Sequence, residues 1–291
     1  MHQWRGGLAG VAACGARLVA VGFALLALLV LSVLLVALAV ALPAPQAHAA
    51  EDFGGDPFRS HQWRDLKREF FGSAPIQFDA RVQVRGPTFA EDPMNVPITV
   101  TALGLEQVEQ ITVLVDRNPI RKVLEYFPVD AAPSVSFRFK LEQASPVRAA
   151  VKTRDGVWHV GGAWVDSAGG GCTVAGATRQ DGSWAASLGQ VSGKLFHSSA
   201  APEPAAGFVG TRLRVRVMHP MDTGLAGSIP AFYVNRLAVL DASGTELLRI
   251  NTFEPVSENP VFSFDFAKPP AGPLRIVGVD NNGNRIDSKV E

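Results

Sequence analysis

The sequence contains very little cysteine, and this shortage limits what the chain can be. Only Cys14 and Cys172 occur in its 291 residues, and Cys14 lies just before a long apolar stretch near the N-terminus. Cys172 therefore has no second thiol with which to form an intramolecular disulfide, a zinc centre or an iron–sulfur cluster. A scaffold held together by disulfides is excluded, and Cys172 is left as a reactive thiol or a site of intermolecular bridging.

The chain also lacks an excess of charge of either sign. It has 27 Lys and Arg residues against 27 Asp and Glu residues. Without residues 1–49, whose only charged side chains are Arg5 and Arg17, the balance is 25 against 27, a net charge of −2. Nucleic-acid-binding domains and proteins that bind anionic membranes carry clusters of basic residues. The near-neutral balance gives no support to either class.

Residue patterns that mark metal centres, nucleotide sites and hydrolases are missing as well. The histidines beyond residue 50 are not spaced to bring two together on a helix turn or a hairpin: His61, His159, His197 and His219. Residues 280–291 partly match a calcium-binding loop, but Arg285 stands where that loop needs glycine, so a hairpin turn at 281–283 explains them better. There is no Gly-x-Ser-x-Gly elbow and no phosphate-binding glycine loop. We predict no metal, no cofactor and no enzymatic turnover by this chain alone.

The N-terminal stretch has the order of a secretory signal. Arg5 and Arg17 precede an uncharged apolar run at 18–42, and Ala47 and Ala49 form a small-residue cleavage site. We predict that residues 1–49 are a signal peptide that is cleaved after Ala49, so that the mature protein is exported. The alternative is an uncleaved anchor, because an apolar run of about 25 residues could also span a bilayer.

The first half of the remaining chain predicts a short helix followed by a β-sandwich. In 57–71, the apolar residues Trp63, Leu66 and Phe70 follow helical spacing. Period-two alternation then indicates short strands at 76–84, 96–103, 108–115, 122–129, 135–141, 147–154 and 157–165. Asp155-Gly156 separates the last two as a two-residue hairpin turn. The number and spacing of the strands favour an antiparallel immunoglobulin-like sandwich.

The second half predicts another, smaller sandwich after a linker. Gly, Ser, Ala, Gln and Pro dominate residues 176–207, a composition typical of linkers. Beyond it, candidate strands lie at 211–218, 231–240, 246–252, 261–266, 274–279 and 286–290. The fold class expected from the whole pattern is all-β, with two immunoglobulin-like antiparallel β-sandwiches and a short N-terminal helix.

Cys172 directly follows Gly169, Gly170 and Gly171, and this is the most distinctive feature of the chain. Three glycines leave a backbone almost unrestrained, so we predict an exposed thiol on a mobile tether. Replacement of all three by alanine is then expected to leave the stability nearly unchanged. The alternative is a cysteine buried as a small apolar residue. No base is adjacent in sequence, so nothing local predicts a lowered thiol pKa.

Each half of the chain resembles a known protein family. The second half resembles SoxZ in the order and spacing of four segments: His219-Pro220-Met221-Asp222-Thr223-Gly224, Ile229-Pro230-Ala231-Phe232-Tyr233, Asn259-Pro260-Val261-Phe262-Ser263-Phe264 and Val279-Asp280-Asn281-Asn282-Gly283. The first half resembles SoxY in its strand layout and in its Gly-Gly-Gly-Cys segment. The domains implied are SoxY-like at 50–175 and SoxZ-like at 208–291.

Both domains in one chain resemble the fused SoxYZ-like carriers that accompany quinoprotein dehydrogenases. The resemblance implies a non-catalytic periplasmic carrier on which Cys172 holds a sulfur-containing or other thiol-reactive intermediate, as SoxY does in thiosulfate oxidation. It implies partners among periplasmic redox enzymes: a quinoprotein dehydrogenase, a c-type cytochrome or Sox-type enzymes. Any quinone cofactor would belong to the partner. His219 is a candidate auxiliary residue near the thiol, and the alternative is a loop residue fixed by Pro220.

Two rival functions remain open. The chain could be a docking or scaffold protein for a periplasmic dehydrogenase or cytochrome, with Cys172 used only for dimerisation or not at all. It could also be an enzyme that acts through Cys172 with an unrecognised base. In SoxY the cysteine is followed by two glycines, whereas Thr173 and Val174 follow it here.

Overall fold

The computed structural model describes residues 28, 29, 31, 53–197 and 210–290. The three residues of the N-terminal unit, Leu28, Leu29 and Leu31, are helical, and the predicted signal peptide otherwise lies outside the described residues. Among the residues described, no helix has the length and apolar character needed to cross a membrane.

The first half contains helix α1 (Trp63–Phe71) and nine strands. The strands are β1 (Ile76–Phe78), β2 (Gln83–Arg85), β3 (Phe89–Ala90), β4 (Val96–Thr101), β5 (Val108–Val115), β6 (Lys122–Phe127), β7 (Ser134–Phe139), β8 (Ser145–Thr153) and β9 (Trp158–Ser167). The single strand predicted at 76–84 is wrong. Asp79 makes a turn there, because its side chain accepts a hydrogen bond from the Arg81 amide and its carbonyl accepts one from the Val82 amide. The turn sends β1 and β2 into different sheets.

The second half has two short helices and seven strands. The helices are α2 (Ala177–Asp181) and α3 (Trp184–Ser187), and the strands are β10 (Val191–His197), β11 (Thr211–Val217), β12 (Val234–Leu240), β13 (Glu246–Thr252), β14 (Val261–Phe266), β15 (Leu274–Asp280) and β16 (Arg285–Val290). The linker prediction for 176–207 is wrong over β10, all seven residues of which pair with β11. Residues 198–207 of that linker lie outside the described residues.

The prediction of an all-β fold built from immunoglobulin-like sandwiches is confirmed, but the two halves are joined more closely than two packed domains. One sheet has the order β1-β9-β8-β5-β6-β13-β12-β15-β16, with β3 beside β9, and the other has the order β10-β11-β14-β7-β4-β2. Both sheets therefore run through both halves. The joints are the antiparallel pairs β6–β13 and β7–β14, so each half continues the hydrogen-bond ladders of the other.

The core between the sheets is continuous across these joints. Tyr126 of β6 and Phe264 of β14 stack with their ring centroids 5.6 Å apart, and both side chains are buried. The Tyr126 hydroxyl donates to the carbonyl oxygen of Ala132 at 3.0 Å, which satisfies its buried polar atom. Aromatic packing thus holds the two halves together from inside, in addition to the backbone hydrogen bonds.

Helix α1 packs on the larger sheet through Trp63 and Leu66, which are buried against Trp158 and neighbouring apolar residues. A buried cation anchors the chain just before the helix. Arg148 of β8 donates hydrogen bonds to the carboxylates of both Asp56 and Asp116, and none of the three side chains is exposed to solvent. Because buried charges are tolerated only when they are paired, this cluster fixes the N-terminal segment on the sheet.

Candidate functional site

Cys172 lies in contact with both halves of the molecule, and its side chain is buried. Only 1% of the residue is exposed, and Sγ lies 3.5 Å from the carbonyl oxygen of Lys140. Its amide donates to the Glu142 carboxylate at 2.9 Å, and its carbonyl oxygen accepts the Thr223 hydroxyl at 2.6 Å. The prediction of an exposed thiol on a mobile tether is therefore wrong for this structure.

The three glycines are needed for close packing and for unusual backbone angles. Gly169 and Gly170 have φ angles of 95° and 87°, a region that side chains disfavour. The amides of Gly170 and Gly171 donate to the carbonyl oxygens of Glu142 and Leu141. A Cβ atom on Gly171 would stand 2.2 Å from the carbonyl oxygen of Pro93. The expectation that alanine replacements leave stability unchanged assumed an exposed tether, and the packed segment removes that assumption.

The surroundings of the thiol keep it protonated. The pKa of Cys172 is raised to about 12, chiefly by burial and in addition by the nearby Glu142 carboxylate. The charge of Lys140 acts in the opposite direction. Because the thiolate is the nucleophilic form, the closed site protects the sulfur from reaction at neutral pH.

Lys140 is a functional candidate that sequence reasoning missed. The residue is 1% exposed, and its ammonium group donates to the carbonyl oxygen of Met221. Burial lowers the pKa of Lys140, while the negative charges of Asp222 and Glu258 oppose that shift, and a Cys172 thiolate would oppose it as well. It lies on the polar face of an alternating segment, so the sequence pattern marks it as exposed.

The segment that follows Cys172 is held down by charged contacts. Arg179 of α2 donates to the Asp222 carboxylate, and its guanidinium carbon lies 4.2 Å from the centroid of the Trp184 ring. The amide of Thr178 donates to Glu258 Oε1 at 2.8 Å. These contacts join the segment after the thiol to the SoxZ-like half.

His219 is buried, but the structure does not place it against the thiol. Its Nδ1 accepts the Met221 amide at 3.1 Å, and its Nε2 lies 3.5 Å from Asp280 Oδ2. Burial lowers the pKa of His219 to about 4, against the opposing charge of Asp280. Among the described residues it forms no hydrogen bond with Cys172, so its auxiliary role stays a prediction.

The turn predicted at 281–283 is formed. The Asp280 carboxylate accepts hydrogen bonds from the amides of Asn282 and Asn284, both at 2.9 Å, and this closes the hairpin between β15 and β16. Within the described part of the chain, no group of three or more His, Cys, Asp and Glu residues is arranged to hold a metal ion.

The fold and the site together define a β-sandwich protein of two joined halves, in which the described residues include a buried thiol, Cys172, that contacts both halves. Family models agree with this division: residues 67–172 match "Sulfur oxidation protein SoxY", and residues 204–291 match "Sulphur oxidation protein SoxZ". The chain therefore belongs to the SoxY and SoxZ families through its two halves, as a fused SoxYZ-like carrier. The SoxY match ends at Cys172.

The sulfur carrier protein SoxY from Chlorobium limicola f thiosulfatophilum is similar at 22% sequence identity, with a TM-score of 0.32. That match covers 36% of this chain and 96% of the other. No curated protein gives a significant sequence match.

Proposed function

We propose that the protein carries a sulfur-containing intermediate on Cys172 and presents it to partner redox enzymes. The observation that supports this most directly is the position of Cys172. It ends the part of the chain that matches SoxY, and it contacts the SoxZ-like half through Thr223. A thiol at this boundary can be enclosed by both domains and released when the boundary contacts break.

Release requires the contacts around Cys172 to break. Cys172 is held by Glu142 at its amide and by Thr223 at its carbonyl, and the Thr173 hydroxyl lies 3.2 Å from the Glu142 carboxylate. No strand of the described sheets includes this segment. In solvent the thiol would lose its desolvation, and its pKa would return towards the ordinary value near 8.5. Exposure thus activates the sulfur.

Attachment of a sulfur compound to this thiol releases a defined number of protons and electrons. When the Cys172 thiol and the outer sulfur of thiosulfate form an S–S bond, the S–H bond of the thiol breaks, and one proton and two electrons are released. A partner redox enzyme must accept those electrons. This requirement is the reason for assigning a redox enzyme, and not a hydrolase, as the loading partner.

The proposed cellular location and partner enzymes are inferred from the sequence. The signal-like residues 1–49 support export to the periplasm, and the resemblance to fused SoxYZ-like carriers implies an association with a quinoprotein dehydrogenase or a c-type cytochrome. The quinone or haem would be bound by that partner.

Intact mass spectrometry of the protein purified from its native host tests the proposal. We expect a fraction of molecules with an added mass of sulfur or a sulfur oxyanion on Cys172, which a reductant removes. A Cys172→Ser variant is the matched control and should carry no adduct. An unmodified thiol under every growth condition on reduced sulfur compounds would contradict the carrier function.

One observation favours a second candidate, a docking or scaffold protein. The thiol is 1% exposed, and its pKa is raised to about 12, so the closed site contributes a packed side chain and no chemistry. Under this alternative the Cys172→Ser variant supports full partner-dependent activity in the host. Under the carrier function the same variant still binds the partner but loses that activity.

A further inference from the structure

The outward face of the sheet β10-β11-β14-β7-β4-β2 is strongly basic. Strand β11 directs Arg212, Arg214 and Arg216 outwards, because Leu213, Val215 and Val217 alternate with them and are buried. Lys194 of β10 is the register partner of Arg214, and Arg138 of β7 lies two strands away on the same face. The pleat thus places five cations on one face.

A cleft of about 420 Å³ lies on this face and is lined by three of the arginines, Arg138, Arg214 and Arg216. All three are exposed, and none of their guanidinium groups forms a hydrogen bond or an ion pair with any described residue. Arg212 differs, because the Asp265 carboxylate binds it with contacts at 2.7 and 3.0 Å. Arg138, Arg214 and Arg216 therefore form no ion pair with any described residue of the cleft.

Other groups in the cleft add hydrogen-bonding capacity. Thr178 Oγ1 is buried and has no hydrogen-bond partner among the described residues, and the side chains of Asn95 and Ser257 also line the cleft. Glu258 is the one lining carboxylate, and its Oε1 is already bound by the Thr178 amide. Three arginines and one glutamate give the cleft a net charge of about +2, which attracts an anion.

The cleft adjoins the segment that carries the thiol. Arg138 and Lys140 are two residues apart at the end of β7, and the carbonyl oxygen of Lys140 contacts the sulfur of Cys172. Thr178 follows the cysteine by six residues and lines the cleft itself. An anion bound here would lie beside the segment that must move when the thiol is exposed.

We propose that this cleft binds a small oxyanion of sulfur, the class that includes sulfite, sulfate and thiosulfate. Guanidinium groups match such oxyanions in charge and in paired hydrogen-bond geometry. The volume suits one small ion with part of its hydration shell, and the sheet supports the arginines on a rigid face. The choice of sulfur oxyanions over other oxyanions rests on the proposed function. The inference that the cleft binds an oxyanion at all rests on the arginines.

Isothermal titration calorimetry at constant ionic strength tests the site. The Cys172→Ser protein is titrated with sodium thiosulfate, sulfite, sulfate and phosphate, so that covalent attachment to the thiol cannot be mistaken for binding. We expect saturable binding at one site. Arg214→Gln combined with Arg216→Gln should weaken it by about tenfold or more, because charge-assisted hydrogen bonds to both groups are lost.

Arg275→Gln is the matched control, because Arg275 is an exposed arginine of β15 in the other sheet and is paired with Asp287. It should leave the affinity unchanged, and circular dichroism should show all variants folded. Absence of saturable binding, or affinity that is insensitive to the double substitution, overturns the site. If phosphate binds as tightly as the sulfur oxyanions, only the preference for sulfur oxyanions is contradicted, and the anion site itself stands. Adduct formation on Cys172 in the native host is a separate result, so the carrier function can fail while this site stands.

Discussion

The hydroxyl of Thr223 donates a hydrogen bond of 2.6 Å to the carbonyl oxygen of Cys172. It joins the SoxZ-like half directly to the residue at which the SoxY match ends. The same hydroxyl accepts the amide of Leu225 at 3.2 Å, so its orientation is fixed by its own loop. A side chain of one domain thus restrains the backbone of the proposed carrier residue in the other.

Loss of this hydrogen bond should make the thiol more accessible. Thr223→Val leaves the Cys172 carbonyl without its buried partner, at an expected cost of about 1 kcal/mol to the closed state. The rate of alkylation of Cys172 by iodoacetamide should then rise about fivefold. Thr223→Ser keeps the hydroxyl and should react at the wild-type rate. Equal rates in all three proteins would show that the bond does not hold the segment closed.

The buried thiol should make the protein less stable in alkali. The pKa of Cys172 is raised to about 12 in the folded state, above its ordinary value, so stability is fully present below pH 9 and is lost as the pH rises towards 12. The slope approaches about 1.4 kcal/mol per pH unit for one proton. Urea unfolding at pH 8, 9 and 10 measures how the free energy of unfolding changes with pH. The Cys172→Ser variant should lack the part of this change that the thiol causes. Parallel curves for the two proteins would mean that the thiol is solvated.

His219 should produce the opposite dependence in acid. Burial lowers its folded-state pKa from 6.5 to about 4, so its contribution to stability is present above pH 6.5 and is lost as the pH falls towards 4. Unfolding free energies at pH 7, 6 and 5 should therefore decrease more steeply in the wild type than in His219→Asn, by about 1 kcal/mol per pH unit. The asparagine keeps an acceptor for the Met221 amide. Similar slopes would indicate a solvent-accessible imidazole.

Alanine substitutions should separate two roles of glycine in the segment before the thiol. In Gly171→Ala the new methyl meets the carbonyl oxygen of Pro93 at 2.2 Å, and the protein should lose about 3 kcal/mol or more of stability. In Gly170→Ala the methyl meets nothing within 4 Å, and only the positive φ opposes it, at about 1 kcal/mol. Guanidinium unfolding measures both. A Gly171→Ala protein as stable as Gly170→Ala would contradict the packed conformation.

Much of the fold could be predicted from alternation, since buried side chains recur every second residue in strands such as β4, β7 and β11. The candidate functional site was harder to predict from the sequence. The glycines before Cys172 show that the backbone needs freedom, but not whether it is used for motion or for contact with Pro93 and Leu141. Only tertiary packing decides between those two uses. Strand β10 was missed for a related reason: Gly193 faces the core, so the alternation lacks one apolar residue where Val290 packs instead.

The joints β6–β13 and β7–β14 have a consequence for how such a protein can be made. Each half alone would present two strand edges with unpaired amides and carbonyls, and such edges pair readily with other chains. Translation as a single polypeptide gives the second half a high effective concentration around the first, so each edge meets its proper neighbour before it meets another molecule. Covalent fusion thereby protects the halves from aggregation during folding and fixes their stoichiometry at one to one.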